Sequence, residues 1–172
     1  RIGSYLKFGE AGEDANNSRA FIPITVPGSS VTTVQSATAI MLDLYLKSLP
    51  SGSGNSIDVY GLPAHAATRA LSGDYSAVDA LTPIANLSPT TTGWQAVDVT
   101  KFVQEQVDAV QPSAAGAPPS AASVCFVLVF NGATLPNTDG QQTAFIIPSS
   151  VRGPTTAPHL NIQIDQADPT TL

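Results

Sequence analysis

The apolar residues of this chain keep one period almost throughout and change it once, between Gly93 and Val110. In GWQAVDV, Trp94, Ala96 and Asp98 alternate with Val97 and Val99, the period of a strand. From Thr100 the apolar positions fall at Phe102, Val103, Val107 and Val110, the spacing of an amphipathic helix. Thr100 is read as the N-cap, because its hydroxyl can accept from an unpaired N–H of the first turn. Asp98 places negative charge near the positive end of that helix. The pattern therefore predicts a strand, a cap and one short helix near residues 101–109, in a chain otherwise made of strands and loops.

The period-2 signal recurs. Ile2–Phe8 alternates as a first strand, and Arg19–Val26 as a second. Pro23 has no N–H to give to a ladder, so the second strand is expected at an edge or a bulge. In Val34–Lys47, Ile40, Leu42, Leu44 and Leu46 alternate with Ala39, Met41, Asp43 and Tyr45. The first set is expected to face the core. Ile57–Leu62 follows after a Gly/Ser-rich turn. Ser123–Phe130 is apolar almost without interruption, as in a strand buried on both faces. Thr143–Pro148 and Pro158–Asp165 close the series, the last with Leu160, Ile162 and Ile164 inward.

Between these strands, His65–Leu71 reads as a short helical turn and Gly73–Leu81 as an extended piece. Gln111–Ala122 reads as an exposed Pro/Ala/Ser loop. About eight to ten short strands with one helix predict an all-β antiparallel sandwich or barrel. Residues 1–166 are expected to form one domain and 167–172 a frayed tail. The core is expected to centre on Val124, Phe126, Leu128 and Phe130, packed on Ile40, Leu42, Leu44, Val97 and Val99.

Composition narrows the partners. Charged residues make up 12% of the chain, about half the usual share. The net charge of −6 opposes polyanions, which argues against nucleic acid and against a strongly anionic polysaccharide. No apolar run approaches the ~20 residues of a bilayer-spanning helix, so no membrane insertion is expected. The single cysteine, Cys125, lies inside an apolar run and is read as a buried small hydrophobe. The first residue is Arg1 rather than Met, which is read as a processed or excised form.

Several stretches together resemble the DNRLRE-type domains, a disaggregatase-related family of carbohydrate-binding-module-like jelly rolls. They are SRAFIPITVP (Ser18–Pro27), VQSATAIMLDLYLKS (Val34–Ser48), NSIDVYGL (Asn55–Leu62) and GWQAVDVTKFVQE (Gly93–Glu105). VCFVLVF (Val124–Phe130) and APHLNIQ (Ala157–Gln163) match the family's late strands in order and spacing. The resemblance implies a jelly-roll β-sandwich. It also implies a noncatalytic module of an extracellular polysaccharide-degrading enzyme or of a surface protein, placed outside the cell or on a cell or particle surface.

Sugar binding needs an aromatic face for the ring and planar polar groups for its hydroxyls. Tyr5, Tyr45, Tyr60, Tyr75 and Trp94 are the amphipathic aromatics that can serve. Tyr75 lies in the long Pro63–Thr92 segment, where the family often carries a Trp, and is the expected stacking residue. Arg69 and Asp74 stand nearby as hydrogen-bonding partners. Trp94 is kept as a further ligand candidate, although a core role is favoured for it because it precedes a strand that must pack. Glu10, Glu13, Asp14 and Asn17 form an oxygen-rich turn, the candidate site for a structural calcium ion, although their spacing is not that of an EF-hand. His65 and His159 sit in no metal or triad motif, and no catalytic signature is present. The resemblance thus implies a noncatalytic carbohydrate-binding module. The alternative is a self-assembling structural subunit of a filament, adhesin or virion shell.

Overall fold

The computed structural model describes residues 5–10, 17–47, 49, 56–63, 73–112, 116–131, 143–148 and 156–165. Their strands are β1 (Tyr5–Glu10), β2 (Asn17–Ser18), β3 (Ala20–Val26), β4 (Ala39–Leu46), β5 (Ser56–Leu62), β6 (Ala85–Leu87), β7 (Gly93–Asp98), β8 (Ala122–Asn131), β9 (Thr143–Pro148) and β10 (His159–Gln163). The helices are α1 (Val31–Gln35), α2 (Asp74–Ala77) and α3 (Thr100–Asp108). Every strand pair is antiparallel. The protein is an all-β sandwich, as the alternation predicts.

One layer has the order β3-β8-β5-β6 and another β10-β4-β7. A further small sheet, β2-β1-β9, lies alongside, with β1 next to β8 and β9 next to β4. Side chains of period 2 fill the space between the main layers. Ile40, Leu42, Leu44 and Leu46 of β4 and Val97 of β7 face Ile57 and Val59 of β5 and Val124, Phe126 and Leu128 of β8. This is the core expected from the alternation, except that Phe130 is only partly buried at its margin. β3 ends the row of described strands in its sheet, which is where Pro23 costs no ladder bond.

The β3-β8-β5 layer is buried on its second face too. Cys125, Val127 and Leu62 pack there against Val78, with Phe21, Tyr60, Leu81 and Val129 around them. The described cover comes from Val78 of the tight 3-10 turn Val78–Ala80 and from Leu81, which follow directly on α2. Arg19 Nη2 reaches Asp79 Oδ1 at 2.5 Å and ties this cover to the start of β3. Gly73–Leu81, expected to be extended, is therefore helical over most of its length. His65–Leu71 lies outside the described residues.

Two further expectations are corrected. The long strand predicted from Val34 begins at Ala39, because Val31–Gln35 forms α1. Val31 and Val34, three residues apart, are both buried, so a short helix serves them better than a strand. The last strand ends at Gln163, leaving Ile164 49% exposed rather than inward.

Helix α3 buries Phe102, Val103 and Val107, while Val110 lies beyond its end and is exposed. Phe102 meets Phe126 edge-on, with ring centroids 5.6 Å apart. It also lies directly over Gly61, where any Cβ would overlap its ring. Gln104 Nε2 donates to the carbonyls of Val34 and Ala37, each at 3.1 Å, beside the Ala37 N–H that Val34 also accepts at 3.3 Å, and so ties α3 to the end of α1.

The start of α3 differs from the expected cap. Thr100 is the first helical residue, and its hydroxyl takes no helix N–H. Instead Asp98 Oδ1 accepts from the Thr100 N–H at 2.9 Å and from its hydroxyl at 2.6 Å. Thr100 Oγ1 in turn accepts from the Ile40 N–H at 2.8 Å. The pair locks the end of β7 to β4 and fixes where the helix departs.

Candidate functional site

The outer face of the β10-β4-β7 layer is built by the same alternation that fills the core. With Ile40, Leu42 and Leu44 inward, Met41, Asp43 and Tyr45 point outward. On β7, Trp94, Ala96 and Asp98 are exposed and Val97 is buried. On β10, His159 and Asn161 are exposed between partly buried Leu160 and Ile162. Register then sets the neighbours. Tyr45 stands opposite Trp94, Asp43 opposite both Ala96 and His159, and Met41 opposite both Asp98 and Asn161.

The result is a ledge of three rings. Trp94 meets Tyr45 at 5.4 Å and 75° and meets His159 at 5.2 Å and 80°. Both neighbours thus stand nearly perpendicular to the indole, the arrangement that aromatic quadrupoles favour. Trp94 itself remains 46% exposed. Beneath the ledge, Asp43 Oδ2 accepts from Asn161 Nδ2 at 3.4 Å and lies 3.5 Å from His159 Nε2. His159 Nδ1 is 3.0 Å from the Ala157 carbonyl, which holds the ring in orientation. One face therefore carries a fixed, half-open indole with a carboxylate, an amide and an imidazole beside it. That set can stack on an apolar ring face and exchange hydrogen bonds with its hydroxyls.

Trp94 is thus at the surface, and the competing core role is corrected. The other expected ligand residues do not join it. Tyr75 falls in α2, on the opposite layer, and its side chain is outside the described set; Arg69 lies outside the described residues altogether. Asp74 opens α2, close enough to Cys125 for its charge to help raise the thiol's pKa. Of the candidate calcium ligands, Glu10 ends β1 directly opposite Asn17 of β2, while Glu13 and Asp14 lie outside the described residues. Among the described residues no group of three or more His, Cys, Asp or Glu side chains is placed to hold a metal.

Sequence reading missed Tyr45 as a chosen partner and passed over Asp43, His159 and Asn161. Their meeting depends on a register joining segments far apart in the chain, which no local pattern displays. A groove of about 820 Å³ opens at the far end of β7, along α3. Asp98, Lys101, Glu105 and Asp108 line it, with Ile84 and the edge of Phe102. Hydrogen bonds from the Thr100 hydroxyl and N–H hold the Asp98 carboxyl below its usual range, so it carries no proton to donate near neutrality. No family model matches the chain, and comparisons with curated proteins and with solved structures return no match.

Proposed function

We propose that this domain is a noncatalytic carbohydrate-binding β-sandwich module of jelly-roll type, working outside the cell or on a cell or particle surface. The observation that carries the reading is the half-exposed Trp94, braced edge-on by Tyr45 and His159 above the Asp43–Asn161 pair. A lone exposed aromatic is ordinary, but an indole fixed by two rings among planar polar groups suits a sugar ring. The resemblance to DNRLRE-type domains supports the same reading from the sequence. The low basic content favours neutral or weakly charged polysaccharide over polyanions.

The test is affinity electrophoresis through gels that each contain one polysaccharide. At least one neutral polymer is expected to retard the native protein, and Trp94→Ala to abolish the retardation. Losing the buried half of the indole costs about 1–2 kcal/mol, which a domain of this size tolerates, so the variant stays folded. Absence of retardation in every gel, or unchanged retardation of Trp94→Ala, refutes the proposal.

The competing reading is a structural subunit whose copies cover one another's ledges. Ile164, exposed just beyond β10, gives it an apolar extension to bury. Size-exclusion chromatography separates the two. A monomer supports the module, and a concentration-dependent polymer reduced by Trp94→Ala supports the subunit.

A further inference from the structure

Resting on the reading of Trp94 as a sugar-stacking residue, we infer that the ligand is a linear, uncharged, equatorially linked glycan, lying along β7 from the aromatic ledge into the groove beside α3. Trp94, Ala96 and Asp98 occupy one outward row of β7, and four residues of strand put about 13 Å between its ends. That length is too great for a single pyranose and suits several linked ones. The middle of the row is Ala96, exposed and small, so its own side chain leaves room for a chain crossing it. Asp98 belongs both to this row and to the wall of the groove, so the two surfaces are continuous.

The groove supplies what a second subsite needs. Lys101 and Glu105 stand one helical turn apart at 3.9 Å, a long contact that leaves both heads open to solvent. A donor and an acceptor side by side match hydroxyl groups, which do both. Ile84 and Phe102 give the groove an apolar side. Charge decides the class of sugar. Asp43, Asp98, Glu105 and Asp108 outnumber Lys101 along the path, which opposes carboxylated or sulfated units. An extended row also favours glycans whose equatorial linkages keep them extended over those that coil.

The test is titration calorimetry of the native protein with cellohexaose and mannohexaose, and with the corresponding disaccharides. At least one hexasaccharide is expected to bind about tenfold tighter than its disaccharide. The double variant Lys101→Ala/Glu105→Gln should erase that advantage and leave disaccharide binding unchanged. Equal affinity for short and long ligands overturns the inference, as does an unaltered hexasaccharide affinity in the double variant. So does Trp94-dependent binding of a polyuronate with neither hexasaccharide bound. In each of those outcomes the ledge still binds sugar and the proposed function survives. Failure of every polysaccharide to retard the protein, or unchanged retardation of Trp94→Ala, brings down both.

Discussion

Gly61→Ala tests how the helix beside the groove is held. Gly61 continues the inward row of Ile57 and Val59 on β5 and is buried. Its missing side chain is filled by the Phe102 ring, whose Cε2, Cζ and Cδ2 atoms all lie where a methyl would stand. The ring is only 9% exposed and is wedged against Phe126, so it cannot swing clear without moving α3. Overpacking of this kind costs about 1–3 kcal/mol. Loss of the edge-on pair with Phe126 adds about 0.5–1.5 kcal/mol. Removing a glycine from a strand interior returns about 0.5–1 kcal/mol. The net expectation is a loss of about 0.5–4 kcal/mol, read by urea titration. It corresponds to a fall in Tm of roughly 2–4 °C per kcal/mol for a domain of this size. Phe102→Leu shortens the ring and makes room, so the double variant should recover roughly 1 kcal/mol against the sum of the single losses. A Gly61→Ala protein as stable as the parent, or strictly additive losses, would show that Phe102 does not rest on Gly61.

Three further outcomes follow from the same geometry. Phe126→Ala should cost about 3–5 kcal/mol in a denaturant titration, since the ring is wholly buried between the layers; a loss below about 1 kcal/mol would place β8 at the surface. Gln104→Ala should cost about 1 kcal/mol by removing the amide that bridges the Val34 and Ala37 carbonyls, of which Val34 keeps its bond from the Ala37 N–H, and an unchanged midpoint would remove Gln104 from that role. Asp98 has a folded pKa below its ordinary 3.8, so its contribution is complete above that value and fades as pH falls through the lower folded pKa. Asp98→Asn should therefore lower Tm at neutral pH, with the gap to the parent closing in acid below pH 3.8; a gap that does not close would contradict the Thr100 hydrogen bonds as its cause.

Much of the scaffold is legible in the chain because burial in a sandwich repeats every two residues. Ile40–Leu46 shows its inner and outer rows directly, and Ser123–Phe130 shows by its lack of alternation that both faces are covered. Short helices are harder. Val31–Gln35 contains two valines and two threonines, residues that suit strands, and one turn is too short to display a helical period. The cover that follows α2 was unreadable for the same reason. The ledge was half legible. Placing Val97 inward already obliged Trp94 outward, and that parity outweighs the general tendency of tryptophan to pack. Tyr45 and His159 join it only through the pairings of β4 with β7 and β10, which the sequence of neither segment contains. The Asp98–Thr100 lock was misread because a threonine before a helix resembles a cap, whereas here the aspartate two residues earlier does the accepting.

The second covering of β8 leaves the only thiol of the chain in an unusual position. Cys125 is wholly buried on the middle strand of its layer, and burial, with the Asp74 charge behind it, pushes the thiol up to about 12. Alkylating reagents attack the thiolate, so the folded domain offers them neither access nor ionised sulfur at ordinary pH. Labelling must then wait for β8 to part from the turn that carries Val78 or from β3 and β5. A mass-shift time course on the unaltered protein therefore counts openings of the sandwich itself, with no engineered probe. Added glycan that braces the far layer alone would leave that clock unchanged, while glycan coupled to the whole domain would slow it.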